Sequence, residues 1–127
     1  MNMATGNKKW IVILIAAVVL IGVIAALIFL LPLSPKKVVG VWHSTESNYL
    51  SNYDCDTVRV VVIHSNHTSM AVLMDAETGA VLNTEYGEWH TVNRGVRVDL
   101  PETESSITYK YRGGMLENGI WTYEKVE

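Results

Sequence analysis

The apolar positions of the chain form two different patterns, one near the N-terminus and one in the remainder. The first is an unbroken apolar run from Trp10 to Leu31, twenty-two residues without a charged side chain. As a helix with a rise of about 1.5 Å per residue, this run is about 33 Å long, which matches a hydrocarbon layer of about 30 Å. Backbone groups in lipid must bond within the segment, so we predict one transmembrane anchor over 10–33. Its helix ends at Pro32 and Pro35.

The second pattern, from Val38 to Glu127, consists of short apolar or alternating runs separated by Gly, Asn, Asp and Ser. Alternation with period two predicts β-strands, and connections this short make neighbouring strands antiparallel. The predicted strands are Val39–Ser44, Thr57–His64, Thr68–Asp75, Val81–Glu85, Glu88–Val92, Val96–Leu100, Ile107–Arg112 and Ile120–Lys125, with Met115–Leu116 as a short extra rung. Eight short antiparallel strands protect their edges best by closing, so we expect an all-β, eight-stranded antiparallel meander or barrel preceded by one transmembrane α-helix.

The same alternation predicts which side chains face the barrel interior. The predicted inner positions are the apolar residues Val58, Val60, Val62, Met70, Val72, Met74, Val96, Val98 and Leu100. Arg59, Arg97 and Asp99 lie between them and are predicted to point outward. Three tryptophans are predicted to fill the core or its ends, each with an indole N–H that needs an acceptor: Trp42, Trp89 and Trp121.

The charge distribution excludes one class of partner. The chain has 10 Lys and Arg and 13 Asp and Glu, a net charge of −3. Six of these bases and all thirteen acids lie in Val38–Glu127, so the predicted barrel carries a net charge of −7. Nucleic acid and anionic lipid surfaces both select clustered Lys and Arg, and we therefore exclude a nucleic-acid partner.

The orientation of the helix is predicted from the segment before it. Two lysines flank the apolar run on each side, so the positive-inside rule gives no preference. The short polar head resembles the n-region of a signal sequence, and the run after it is too long for an ordinary cleaved peptide. We predict a single-pass signal anchor in the cell membrane, with residues 1–9 as a cytoplasmic tail, 34–37 as a linker and 38–127 as an extracytoplasmic domain. Asn66-His67-Thr68 matches an N-glycosylation acceptor, which matters only in a glycosylating host.

Two features predict contacts with a partner protein. Gly22 and Ala26 stand four residues apart in the predicted helix, a spacing that lets two spanning helices approach closely. The longest irregular stretch, Thr45–Cys55, has the length at which loops in compact domains are often functional. Its candidate partner-binding side chains are Tyr49, Leu50 and Tyr53. The alternative is that this loop is a lid that packs on its own barrel, and the sequence does not favour one interpretation over the other.

The candidate chemistry is limited to one cysteine and a few histidines. Cys55 is the only cysteine, so an intermolecular disulfide and a free structural thiol both stay open. Carboxylates on both sides are expected to raise its pKa, which makes it a poor nucleophile. His64, His67 and Cys55 form the alternative set for a copper ion, although no metal site is favoured. The sequence shows no catalytic signature, and we predict neither enzyme activity nor a cofactor.

Several short motifs resemble a known family. They are Gly40-Val41-Trp42, Asp54-Cys55-Asp56, Gly87-Glu88-Trp89, Tyr109-Lys110-Tyr111 and Met115-Leu116-Glu117. Together they resemble the lipocalin-like small β-barrels of bacterial envelope proteins, nearest the N-terminal domain of the NlpE-type copper-resistance lipoproteins. This resemblance implies a lipocalin-like fold and a role in envelope sensing and copper handling. Cys55 matches the second cysteine of that family's loop motif, whereas Asn52 stands where the first would be, so the paired-thiol site is missing.

The sequence as a whole predicts a function in binding. We expect a membrane-anchored, extracytoplasmic, non-catalytic interaction module that contacts another membrane or envelope protein, or a second copy of itself. Two alternatives stay open, an envelope copper sensor and a barrel that binds a small apolar ligand. A barrel of about ninety residues filled with Val, Met and Trp has little spare volume, which favours a protein partner over a small ligand.

Overall fold

The computed structural model describes the backbone from Asn2 to Glu127 and the side chains of residues 10–27 and 31–127. The chain divides into two units, a helical unit that ends at Leu31 and a strand-built unit over Pro32–Glu127. Each unit is described by itself.

Helix α1 spans Asn2–Leu30. Its window Trp10–Leu27 has a mean hydropathy of 3.1, and within the described residues α1 is the one helix long and apolar enough to cross a membrane. The helix ends two residues before Pro32, because proline disfavours helical geometry in the residue that precedes it. The prediction of an apolar N-terminal helix of spanning length is confirmed.

A short 3-10 helix over Pro35–Lys37 begins the second unit and is followed by nine strands. The strands are β1 Gly40–Ser44, β2 Asn48–Leu50, β3 Cys55–Ile63, β4 Thr68–Asp75, β5 Val81–Val92, β6 Gly95–Leu100, β7 Ser105–Arg112, β8 Met115–Asn118 and β9 Trp121–Lys125.

Eight of these strands form a closed antiparallel barrel. Each strand from β3 to β9 pairs with the next, and β1 closes the ring because it pairs with both β3 and β9. In this closing ladder Trp42 lies opposite Val61 on one side and Lys125 on the other. Strand β2 stands outside the ring and pairs only with the beginning of β3. The predicted fold class, an all-β eight-stranded antiparallel barrel preceded by one apolar helix, is confirmed.

The strands are divided differently from the prediction. Val81–Glu85 and Glu88–Val92, predicted as two strands, form the single strand β5. Gly87 lies inside this strand because β6 approaches it closely, and a Cβ at this position would come within 2.5 Å of the Val98 Cγ1 atom. Met115–Leu116, predicted as an extra rung, belongs to β8 and completes the ring.

Short turns connect the strands, as the Gly, Asn, Asp and Ser residues between the apolar runs predicted. The segments around Ser65–His67, Glu77–Gly79, Asn93–Arg94 and Gly113–Gly114 are all turns. Their tightest positions have a left-handed backbone, with φ of 67° at His67 and 59° at Arg94. Short connections of this kind explain why every neighbouring pair in the ring is antiparallel.

One end of the barrel is closed by the segment that leads into it, and we call it the linker end. Val38 is fully buried, and its carbonyl accepts the Trp42 indole N–H at 2.8 Å. The backbone N–H of Leu33 donates to the Val92 carbonyl at 3.0 Å. The opposite end carries residues 45–54 and is called the mouth. Trp42, Trp89 and Trp121 are buried in the core, as predicted.

The facing of two strands is opposite to the prediction. On β3 the buried residues are Thr57, Val61 and Ile63, and Arg59 points into the barrel with a side chain only 16% exposed. Val58, Val60 and Val62 therefore face outward, and in the same way Ala71 and Leu73 of β4 contact the core while Met70, Val72 and Met74 face outward. On β6 the prediction is correct, since Val96, Val98 and Leu100 are buried and Arg97 is exposed.

An apolar outer face and a polar barrel mouth

The outward side chains of four adjacent strands form an apolar surface. We call this surface the outer apolar face, and its members are Val41 of β1, Val58, Val60 and Val62 of β3, Met70, Val72 and Met74 of β4, and Tyr86 of β5. The pairing register places Val62 between Val41 and Met70, and it places Met70 next to Tyr86. A second row has Val60 opposite Val72, with His43 of β1 and Thr84 of β5 at its two ends. Cross-strand neighbours at this spacing touch one another, so the members make one continuous patch.

Most members of this face are half-buried against their neighbours, and Tyr86 is 63% exposed. Beside Met70 and Tyr86 lies an open groove of about 460 Å³, whose lining also includes Glu88, Pro101 and Glu102. Single exposed apolar residues are normal on protein surfaces, whereas a contiguous set is the usual mark of an interaction surface.

The outward side chains of β6 to β9 include several polar and charged residues. Thr108 lies opposite Arg97, and Lys110 lies opposite Glu117 in the ladder between β7 and β8. The Arg97 Nε atom is 3.2 Å from Asp99 Oδ1, and this pair is about half exposed. The barrel exterior thus has one flank rich in Val and Met and another with charged pairs.

The interior behind the apolar half contains a polar cluster of Arg59, Glu85 and Tyr109. The Arg59 Nη2 atom lies 3.6 Å from Glu85 Oε2 and donates to the Tyr109 hydroxyl at 3.4 Å. Tyr109 contacts Tyr123 edge to face, with the ring centroids 5.8 Å apart. Burial raises the pKa of both phenols, which remain neutral throughout the ordinary pH range. A charged group inside the barrel needs such partners, and Arg59 finds them on β5 and β7.

The mouth leaves little free volume beside this polar cluster. The cavity measures about 90 Å³ and is lined by Leu50, Arg59, Ala71, Leu73, Asn83, Glu85 and Trp121. Sites for small organic ligands typically measure about 300–1,000 Å³ and are mainly apolar. This cavity is smaller and contains an ion pair, so its geometry does not suit an apolar ligand.

The predicted partner loop is partly ordered by its own contacts. Strand β2 places Leu50 opposite Cys55 and half-buried at the mouth. The Tyr49 hydroxyl donates to the Asp54 carboxylate, and this hydrogen bond is the main cause of the raised Tyr49 pKa. Tyr49 and Tyr53 remain 58% and 40% exposed. The loop therefore combines one side chain that covers the mouth with two exposed aromatic rings, and its partner-binding role stays a prediction.

Cys55 is half-buried at the start of β3. Its pKa is raised, first by desolvation and then by the nearby Asp75 carboxylate, so the thiol is favoured over the thiolate. The pKa of Asp75 is lowered because it accepts the backbone N–H groups of Glu77 and Thr78, the former at 2.8 Å. The sequence pointed to the adjacent aspartates, whereas the structure assigns a larger part to Asp75 on the neighbouring strand.

The alternative metal ligands are not brought together. His67 stacks on Trp89 with 4.6 Å between ring centroids, and the Trp89 indole N–H donates to the His64 carbonyl at 2.7 Å. Both histidines therefore border the β3–β4 turn at the linker end, while Cys55 begins β3 at the mouth. Within the part of the chain that the structure describes, no three His, Cys, Asp or Glu side chains cluster closely enough to hold a metal ion.

Gly22 and Ala26 lie one turn apart in the exposed span window of α1. A Cβ at Gly22 would meet no atom within 4 Å, so the small surface is open to a neighbouring helix. Its use in helix packing stays a prediction.

Comparison with protein-family models, with curated proteins and with solved structures found no match for this chain. The resemblance to the copper-resistance lipoproteins thus stays a prediction from the motifs quoted above. What the structure itself defines is a closed eight-stranded barrel with a polar mouth and one apolar flank, preceded by one helix able to span a membrane. The outer apolar face was missed from the sequence because six of its eight members were assigned to the barrel interior, while Val41 and Tyr86 were assigned to neither side.

Proposed function

We propose that this chain is a membrane-anchored, non-catalytic interaction module that binds another protein of the membrane or cell envelope through its outer apolar face. The observation that supports this proposal is the position of Val60, Val72 and Met70 on the outside of the barrel, where folding does not bury them fully. A solvent-exposed apolar surface costs free energy in water, and a protein partner recovers that cost.

The size of the face is adequate for a contact but small. Four strands about 4.8 Å apart and five residue positions about 3.3 Å apart, with side-chain margins, cover roughly 20 Å by 20 Å, or about 400 Å². At about 25 cal/mol per Å², complete burial contributes about 10 kcal/mol before the costs of association. This area equals the largest apolar patch on a typical monomer, and patches of that size are often functional.

The membrane placement in this proposal rests on α1. A mean hydropathy of 3.1 over eighteen residues fits a helix that crosses the bilayer. The polar head before it favours an N-terminus in the cytoplasm, and the barrel then lies on the extracytoplasmic side as a single-pass protein. An acidic barrel with net charge −7 gains nothing from contact with anionic lipid, which favours a protein over the lipid surface as its partner.

A photo-crosslinking experiment tests the proposed surface in the native membrane. A photoreactive side chain replaces Val72 in the centre of the outer apolar face, and the matched control replaces Thr108, an exposed outward position of β7. We expect discrete crosslinked products from position 72 and none of them from position 108. Equal yields from the two positions, or products from position 108 alone, would contradict the proposal.

A further inference from the structure

We infer that the partner binds as an extended, positively charged segment that adds to a free edge of strand β5, beside the outer apolar face. The inference deepens the proposed function and rests on it, because it names the chemistry of a partner that the outer apolar face alone does not specify. Strand β5 is the longest strand of the barrel, and its two parts have different neighbours. Residues 88–92 pair with β6, whereas residues 81–86 pair only with β4 among the strands that the structure describes.

The ladder between β5 and β6 stops at a proline. Glu88 lies opposite Asp99, so the same register continued by two residues would place Tyr86 opposite Pro101. Proline has no backbone N–H and cannot donate to a neighbouring strand. Strand β6 accordingly ends at Leu100, and the chain turns away. The first part of β5 is therefore left without a neighbour on this side.

The free backbone groups on this edge belong to Thr84 and Tyr86. The Trp89 backbone N–H donates to the His67 carbonyl, on the β4 side, at 2.9 Å. Backbone groups along a strand point alternately to its two neighbours. Those of Thr84 and Tyr86 therefore point away from β4, towards the space where β6 has ended. Within the described residues no other backbone group pairs with them.

An edge of this kind binds a partner in one conformation. A row of unpaired N–H and C=O groups is a template for an extended segment, which gains main-chain hydrogen bonds from it. A bulge between Leu73 and Met74 ends the regular ladder just beyond Asn83. The regular edge is therefore residues 83–86, a length of about 13 Å at about 3.3 Å per residue. This edge suits a short extended segment of a partner protein.

The open groove beside the edge selects the side chains of that segment. The groove borders Met70, Tyr86 and Pro101, which suit an apolar side chain. Its lining also includes the exposed Glu88 and Glu102, and none of its lining residues in the described structure is Lys or Arg. The barrel as a whole carries a net charge of −7. Complementary charge therefore favours a segment with an apolar centre and basic residues around it.

Binding of short peptides to the full chain in a mild non-ionic detergent tests this inference. The probe is a dye-labelled peptide, KKVTVKK, in which lysines flank a strand-forming centre. Fluorescence anisotropy at 0.15 M salt measures its affinity. We expect saturable binding that is lost when the three central amides are N-methylated, because the peptide then has no central N–H to donate. Binding should also be lost for EEVTVEE, because the acidic groove repels it.

Two substitutions in the protein locate the bound peptide. Thr84→Pro removes a free-edge N–H and keeps the bonds to β4, so it should weaken binding about two- to tenfold, the effect of about one hydrogen bond. Glu102→Lys reverses a charge beside the groove and should also weaken binding about two- to tenfold.

The matched control is Glu124→Lys, which makes the same change of net charge at an exposed position of β9. It should leave the affinity unchanged, because charges separated by more than about 8 Å are largely screened at this salt concentration. Native tryptophan emission reports whether each variant is folded. If Thr84→Pro does not fold, the N-methylated peptide still tests the edge, since it is measured on the unsubstituted protein.

The outcomes separate the two proposals. Equal binding of the plain and N-methylated peptides, or equal weakening by Glu102→Lys and Glu124→Lys, overturns addition to the β5 edge. Absence of peptide binding also overturns it, while crosslinks from position 72 and none from position 108 then leave the proposed function standing. Absence of peptide binding together with equal crosslinking at positions 72 and 108 overturns both.

Discussion

The hydroxyl of Tyr123 gives a sharp test of how the barrel interior is organised. Tyr123 is fully buried, and within the described residues its hydroxyl has no hydrogen-bond partner. A buried, unpaired polar group costs about 1–3 kcal/mol relative to the same group in water. Tyr123→Phe removes that group and keeps the ring in contact with Tyr109, so we expect it to raise the free energy of unfolding by about 1 kcal/mol.

Tyr109 is the matched control for this prediction. It is also buried, but its hydroxyl accepts a hydrogen bond from Arg59 Nη2 at 3.4 Å. Tyr109→Phe removes the same atom and leaves the guanidinium with one partner fewer. We therefore expect this variant to lower the free energy of unfolding by about 1 kcal/mol, the typical net value of one hydrogen bond.

Urea unfolding of the full chain in a mild non-ionic detergent, followed by tryptophan emission, measures both variants. With a slope of about 1–3 kcal/mol per molar urea, each change moves the midpoint by about 0.5 M. The midpoint should rise for Tyr123→Phe and fall for Tyr109→Phe. A fall of the same size in Tyr123→Phe refutes the reasoning, because it would mean that this hydroxyl is bonded in the folded barrel.

Three further predictions concern the strands around the mouth and the linker end. Gly87→Ala should lower the free energy of unfolding by about 1–3 kcal/mol in the same urea assay, because its Cβ would lie 2.5 Å from Val98 Cγ1; an unchanged midpoint contradicts the close approach. The pKa of Asp75 is lowered in the folded state, so its stabilising effect is complete above its ordinary pKa of 3.8 and is lost as the pH falls below that value. Asp75→Asn should therefore weaken the dependence of the free energy of unfolding on pH in this range. An acid-unfolding transition identical to that of the unsubstituted protein would contradict this prediction. The raised pKa of Cys55 predicts alkylation by iodoacetamide at pH 8 that is slower than for a free thiol and faster in Asp75→Asn, and rates equal to free cysteine would show the shift to be wrong.

The architecture could be predicted because its signals are local. The run from Trp10 to Leu31 is apolar at every position, and a helix follows from that alone. The turns at Asn93–Arg94 and Gly113–Gly114 carry residues that tolerate a left-handed backbone, and they fixed the antiparallel order. The division of β5 failed for a related reason. The predicted strands stopped on either side of Tyr86 and Gly87, whereas β5 continues through both and Gly87 permits the close approach of β6.

The facing of β3 and β4 could not be predicted, because both sets of alternating positions are apolar. On β3, Val58, Val60 and Val62 alternate with Val61 and Ile63, so the pattern itself does not choose a side. Arg59 biased the choice, since an arginine is normally placed in water. The contacts that hold it inside come from Glu85 and Tyr109, which are 26 and 50 residues further along the chain.

The reversed facing of β3 and β4 also determines where the outer apolar face lies. The opposite facing would place Val60 and Val72 inside, and it would turn Val61 and Leu73 outward. This chain instead folds with Arg59 inside, bonded to Tyr109, and leaves both valines half-buried on the outside. Under the proposed function, association accounts for this facing, since holding Arg59 inside turns Val60 and Val72 to the outside of the closed ring. Arg59→Met should therefore change photo-crosslinking at position 72 only if the barrel itself loosens. Altered crosslinking in an Arg59→Met protein with unchanged urea unfolding would contradict this division between interior and surface.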